Sequence, residues 1–365
     1  MVAASPSAAD PLLGHGRQII VREDWLRLTE EPALEPALPI VDPHHHLWQR
    51  GEGSYLLPEL LADTGSGHDI RATIFVQCGE MYRAAGPAEE QSLGETEFVT
   101  GIAATSASGR FGSTRACAGI IGMVDLTVGA KVDMLLDAHR AAAGGRFCGI
   151  RNRTAWHPSP EVTTNLVAPP PGPLENPTFA QGARRLAAHG LPLDVWCYHT
   201  QLPHVVALAR AVPELTIVVD HVGGPLGIGP FAGKQAEVFP EWKQRMLALA
   251  ALPNVVVKLG GLAMYVTGFD FHRRSQPPDS QALADAWRPY VESCIEAFGA
   301  ARCMFESNFP VDKGMCSYKV LWNAFKRLAA GASVAEKTAL FSDTAVRVYG
   351  LDRLPEALSV NLAAR

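Results

Sequence analysis

Charge is scarce in this chain of 365 residues: 19% are Asp, Glu, Lys or Arg, and 37 acidic residues against 32 basic ones give a formal net charge of −5. No long Lys/Arg run occurs, which argues against a nucleic-acid binder that works by neutralising phosphates. Uninterrupted apolar stretches of the roughly 18 residues a membrane span needs are also missing. The most apolar run, around Leu247–Val257, is broken by Pro253 and Asn254 and closed by Lys258. The N-terminal residues carry no positive charge ahead of an apolar core, so they do not read as a secretory signal. The 7 cysteines are scattered, odd in number and never in a C-x-x-C pair, which fits reduced thiols in a cytoplasmic protein rather than a disulfide framework.

Apolar material is plentiful. A hydrophobic content of 47% supplies a large core and excludes disorder as the main state. Residues 1–38 are irregular and rich in Ser, Ala and Pro, with the near-duplicates Glu31-Pro-Ala-Leu and Glu35-Pro-Ala-Leu. They read as an N-terminal extension packing on the outside, anchored by Trp25 and Leu26. From Pro39 short β-branched runs recur at Ile40–Asp42, Ala72–Cys78, Cys117–Val124, Phe147–Arg151, Leu191–Cys197, Thr216–Asp220, Val255–Leu259 and Cys303–Glu306. Longer stretches of helical character separate them, among them Val132–Ala142, Phe179–His189, Leu202–Ala211, Trp242–Leu252, Ala282–Phe298 and Tyr318–Ala330.

Runs such as Ile217-Val-Val are apolar on both faces, as strands of a doubly covered parallel sheet are. This alternation predicts a single-domain α/β fold, a (β/α)8 TIM barrel over residues 39–352 with a tail at 353–365. The long, glycine-rich stretch between Cys78 and Cys117 fits the rhythm least. The competing architecture is a doubly wound open sheet, but no glycine-rich phosphate fingerprint follows the first strand.

In such a barrel the C-terminal strand ends face the active site. Polar residues gather there: Asp42-Pro-His-His-His after strand one, Gln77-Cys-Gly-Glu-Met-Tyr after strand two and Arg151-Asn-Arg after strand four. Strand five ends in Trp196-Cys-Tyr-His, strand six in Asp220-His221, strand seven in Lys258, and strand eight in Glu306-Ser-Asn-Phe-Pro-Val-Asp. Side chains alternate along a strand, so His44 and His46 point together into the mouth, about 7 Å apart along the backbone, while His45 points away. The bland reading is a surface histidine cluster.

His221 precedes Val-Gly-Gly-Pro, whose glycines permit close approach of a ligand, although Asp220-His221 could be a structural pair. His199 follows Trp196 and Tyr198, both candidate pocket walls, or it merely opens a helix. Arg151 and Arg153 share a face and suit capture of a substrate carboxylate, unless each pairs with a strand carboxylate. Lys258 could bind substrate or snorkel to the rim. Glu80, Met81 and Tyr82 extend the pocket wall, with Trp48 and Trp156 bounding a ring.

Asp-x-His-x-His followed by Leu-Trp resembles the amidohydrolase superfamily, and within it the branch that contains L-fuconolactonase, 4-sulfomuconolactone hydrolase and 2-pyrone-4,6-dicarboxylate lactonase. Gly149-Ile-Arg151, Val219-Asp-His221-Val-Gly-Gly-Pro225 and Met304-Phe-Glu-Ser-Asn-Phe-Pro310 are similar to that branch, over about residues 39–350. The resemblance implies that His44 and His46 bind a divalent metal or substrate, with His221 at the strand-six histidine. That makes His44, His46 and His221 the expected ligands of one ion, zinc or manganese, in a site that can also be metal-independent. Relatives carry Gly-Ser-Asp-Trp-Pro on strand eight, where the aspartate takes a proton from the attacking water. Here Asn308 stands at that position, and an amide is not a base.

The expected activity is hydrolysis of a carboxylate-bearing lactone or related cyclic ester, rather than of an amide. Arg151 would hold the acid, and His44, His46, His199 and His221 would surround the electrophile. Asp312 is the candidate base in place of the missing aspartate, with Glu306 as a deeper rival. Metal-dependent decarboxylation or hydration of an aromatic or dienoic acid is the second enzyme reading, and a non-catalytic small-molecule binder is the third. The expected partner is a small acidic substrate, with a homo-oligomer as a further possibility.

Overall fold

The apolar runs become eight parallel strands: β1 (Pro39–His45), β2 (Asp69–Val76), β3 (Arg115–Gly122), β4 (Phe147–Arg153), β5 (Leu193–Trp196), β6 (Ile217–Val219), β7 (Val255–Leu259) and β8 (Cys303–Phe305). They are hydrogen-bonded in chain order, and the ring closes through a parallel bridge between His45 and Phe309. The Asn308 amide donates to the His44 carbonyl at 2.8 Å and the His46 amide to the Phe309 carbonyl at 2.7 Å. Those two bonds hold the first and last strand ends side by side. The architecture is the (β/α)8 barrel. The computed structural model describes residues 10–353 apart from residues 52, 163, 165, 166 and 168. The expected tail therefore lies outside the described residues but for residue 353, as do residues 1–9 of the extension.

A helix follows each strand, and the sequence explains where several begin. Asn176 accepts the Thr178 amide ahead of Pro177–Ala188, Asp279 accepts the Ala282 amide ahead of Ser280–Phe298, and Ser317 accepts the Val320 amide ahead of Tyr318–Leu328. Each cap satisfies one of the amides that a helix start leaves without a partner. Leu93–Ala107, in the glycine-rich stretch, is a helix that the sequence pattern hides. Its buried positions include Gly94, Glu95, Thr96 and Ser106, so no apolar stripe marks it. Gly94 lies so close under the Met81 carbonyl that an added Cβ would sit 2.4 Å away.

No described helix is long and apolar enough to cross a membrane. All seven cysteines are unpaired, six of them buried. In the N-terminal segment Trp25 and Leu26 are buried. The Trp25 indole donates to the Arg274 carbonyl at 3.1 Å, and Glu31 accepts the Ser280 amide at 2.7 Å. The segment also does more than coat the exterior, since Gly16–Ile19 reach the barrel mouth.

Candidate active site

At the end of β1 the backbone is tied to β8 through Asp42. One of its carboxylate oxygens accepts the Ser307 amide at 3.0 Å, and the other accepts the Tyr318 hydroxyl at 2.9 Å. Burial raises its pKa to about 6 despite those donors. With the strand fixed, the two alternate histidines lie together inside the barrel, their ring centroids 5.0 Å apart. His46 Nδ1 is 2.7 Å from the Val76 carbonyl, which assigns its hydrogen to Nδ1. Nε2 is left as an acceptor, and His46 lines the central cavity. Burial, then the Arg151 guanidinium, holds His46 well below the usual imidazole range, so the ring is neutral near pH 7. His45 faces away, with Nε2 2.9 Å from the Thr73 hydroxyl.

At the floor of the cavity His221 joins His44 and Glu306, which lie beneath it, in a buried cluster. Glu306 Oε1 accepts both the backbone amide of His221 at 3.1 Å and its Nδ1 at 2.7 Å. Oε2 lies 2.6 Å from His44 Nδ1, yet it has no aligned donor hydrogen. The His44 and His221 rings are 4.6 Å apart. This packing needs glycines at 260 and 261. A Cβ at Gly260 would lie 2.4 Å from Glu306 Cγ, and one at Gly261, where φ is +66°, would lie 2.5 Å from the His221 ring.

Lys258 sits below the cluster, fully buried, with Nζ 2.6 Å from Asp194 and 3.2 Å from Asp220. The expected rim position or substrate contact is therefore not what the structure shows. Two carboxylates inside the barrel require a cation there, and their field holds Lys258 above its ordinary range against the cost of burial. Tyr349 adds its hydroxyl to Asp194 at 3.0 Å. Lys258→Met would leave Asp194 without a cation and Asp220 with Arg151 alone. The expected loss is about 3–5 kcal/mol of stability, to be read from denaturant unfolding.

The cavity is about 180 Å³ and is lined by Trp48, Trp196, Met264 and Tyr265 on its apolar sides. At roughly 10–15 Å³ per water-sized site, that is room for a small single-ring molecule. His46, Gln77, His221 and Asn308 face it from the strand ends. Four arginines also line it, Arg17, Arg50, Arg151 and Arg153, and no Asp or Glu does among the described residues. Arg50 stacks on Trp48 at 4.1 Å and pairs with Glu80 at 3.3 Å.

Arg151 is the most buried of the four. Its Nη1 contacts His44 Nε2 at 3.1 Å and Asp220 at 3.4 Å, and Nη2 donates to the Gln77 carbonyl. Nε and the second Nη2 hydrogen have no partner among the described residues, which leaves one edge of the planar fork for a ligand.

Of the residues singled out in the sequence, Trp48, His46, Arg151, Arg153, His221 and Asn308 thus share one cavity, with His44 directly beneath. Others do not reach it. His199 is turned outward by the 3-10 turn at His199–Gln201. Its Nδ1 accepts the Leu226 amide and its ring packs on Phe231 at 5.2 Å; burial lowers its pKa to about 4. Tyr198 is buried one layer behind Trp196, which takes the wall position instead. Trp156 lines a separate cavity with His157, Glu175 and His204.

Glu80, Met81 and Tyr82 stand behind the lining because the chain turns away at Gly79, where φ is +81°. The buried Glu95 fixes that turn by accepting the amides of Cys78 and Glu80 at 2.9 and 2.8 Å. Asp312 does not face the cavity either. It lies behind Asn308, accepting the Asn308 amide at 2.7 Å and the Ala263 backbone at 3.2 Å. Burial drives its carboxyl well above the usual range. Sequence reasoning missed Tyr265, passed over Arg50 and Arg17, and ranked Glu306 only as a second base; of its two aromatic wall candidates on strand five, Trp196 lines the cavity.

The protein-family model described as Amidohydrolase matches residues 41–351. The chain belongs to the amidohydrolase family. It is 32% identical over 336 residues to an uncharacterised protein, y4mH, of Sinorhizobium fredii, which covers 86% of this chain and 98% of that one. It is 26% identical over 290 residues to an L-fucono-1,5-lactonase of Burkholderia ambifaria, covering 75% and 81% of the two chains. A crystal structure of an amidohydrolase from Burkholderia multivorans with bound zinc shares 26% identity at a TM-score of 0.65, covering 87% of this chain and 99% of that one.

The residues of this amidohydrolase fit one divalent ion. His44, His221 and Glu306 offer ligand atoms within 4.8 Å of one another. Two imidazoles and a carboxylate are a donor set that zinc and manganese both accept. The unaligned Glu306 Oε2 is a buried lone-pair site of the kind a cation would satisfy. Glu306 thus enters the ligand group where the sequence reading had placed His46.

Proposed function

We propose that this enzyme hydrolyses a carboxylate-bearing lactone, a cyclic ester of single-ring size, by water attack in the barrel mouth. The observation that carries this reading is the composition of the cavity wall. His46, His221 and Asn308 line an opening whose charged lining is arginine alone among the described residues. In this reading the free edge of Arg151 binds the substrate acid in bidentate fashion, while Trp48 and Trp196 bracket the ring.

His46 Nε2 takes the proton of the attacking water. The Nδ1 contact to Val76 holds that imidazole in the tautomer the step needs. The water oxygen bonds to the carbonyl carbon, the ring C–O bond breaks, and the departing ring oxygen receives the proton held at Nε2. Asn308, held by Asp312, orients the water or substrate oxygen. His44, His221 and Glu306 would hold one divalent ion, which when bound supplies Lewis acidity at the carbonyl. The unpaired thiols support a cytoplasmic enzyme.

Paired lactones that differ only in a ring carboxylate test the substrate class, with acid release followed in a pH-stat. The expected result is a kcat/KM at least tenfold higher for the acid-bearing member of each pair. Equal turnover of both members would overturn the assignment.

A further inference from the structure

The family match begins at residue 41, yet one wall of the cavity comes from well before it. Gly16, Arg17, Gln18 and Ile19 line the opening. They form the tip of a small antiparallel loop: Leu13 bridges Ile19, and the Gly14 amide donates to the Gln18 carbonyl at 2.8 Å. Gly16 and Arg17 both adopt positive φ, +65° and +55°. A non-glycine residue in that region is uncommon, so the surrounding contacts must hold the loop in place.

Those contacts are present on both sides of the tip. Ile19 is buried against Gly314, where even an added Cβ would lie 2.5 Å from the Ile19 side chain. Arg22 donates to the His272 carbonyl, and Asp10 pairs with Arg273. The Arg17 guanidinium donates from Nη1 to the Glu161 carbonyl, in the loop after β4. That single neutral acceptor leaves its charge uncompensated within the described residues, at the outer rim of an opening already free of carboxylates.

We propose that the N-terminal segment completes the active site, and that Arg17 is a specificity-determining residue that binds a second anionic group of the substrate, further out than the one held at Arg151. The assignment rests on the acidic-lactone reading above and narrows it to substrates with two separated acid groups. Arg17 would act on binding and selectivity, leaving the bond-making step to the strand-end residues.

The test uses the full chain, with two probes titrated by calorimetry: propionate, with one carboxylate, and citrate, with three. Wild type, Arg17→Ala, Arg17→Lys and Arg151→Lys are compared. Arg17→Ala is expected to bind citrate about tenfold more weakly, the scale of one charge-assisted contact at a partly exposed site. Its propionate affinity should be unchanged, and Arg17→Lys should recover part of the loss. Equal citrate affinity in Arg17→Ala and wild type overturns the proposal. So does a parallel loss for both probes, which marks a loop that is merely structural. Propionate binding that is indifferent to Arg151→Lys removes the acid-site reading itself, while the citrate-to-propionate ratio of Arg17→Ala still reports on Arg17. Failure of both acids to bind wild type overturns both.

Discussion

His46→Gln is expected to lower kcat by about 10²–10⁴, the usual cost of removing a general base, with little change in melting temperature. Glutamine can keep a donor near the Val76 carbonyl, and it preserves most of the contact with Trp48, whose ring stacks 6.1 Å from the imidazole. It cannot take a proton. The measurement is kcat on an acid-bearing lactone beside a thermal melt of the same sample. An intact kcat would move the proton acceptor to His221, which also lines the cavity and is backed by Glu306 through Nδ1. A fall in both quantities would instead make His46 a structural strut.

The second large effect is expected at Arg151. Lysine keeps the charge but replaces a planar fork with a point donor. At this site the guanidinium serves His44, Asp220 and Gln77 on one side while its other edge stays open. An ammonium cannot do both. Arg151→Lys should therefore raise KM and lower kcat/KM by roughly 10–100-fold, or about 1.5–3 kcal/mol of charge-assisted hydrogen bonding. The loss should be specific to acid-bearing substrates. An unchanged KM for such a substrate would confine Arg151 to holding β2, β4 and β6 together.

Much of the barrel was legible because its strands are apolar on both faces and short, so each run stood out against the helical stretches around it. Leu93–Ala107 was not, since glycine, threonine and a buried glutamate occupy its inner positions. The strand-end histidines and Arg151 could be read from period-two alternation plus the rule that C-terminal strand ends face the site. Depth was harder to read. Glu306, two residues before Asn308, sits low enough to bridge His44 and His221, and Lys258 sits lower still between two acids.

Asp312 lies close to Asn308 in sequence, but its backbone amide bonds the Asn308 carbonyl at 3.2 Å and its side chain folds behind the amide it supports. Arg17 carried no signal at all. It belongs to no strand of the barrel rhythm, and only the folded path of the N-terminal segment brings it to the mouth.

Hydrolysis of an acid-bearing lactone in water enriched in oxygen-18 tests the central claim most directly, with product mass and position of label read by mass spectrometry. Water attack at the carbonyl predicts a ring-opened hydroxy acid with one heavy oxygen, located in the newly formed carboxylate. Release of carbon dioxide, or label in the hydroxyl rather than the carboxylate, would contradict it.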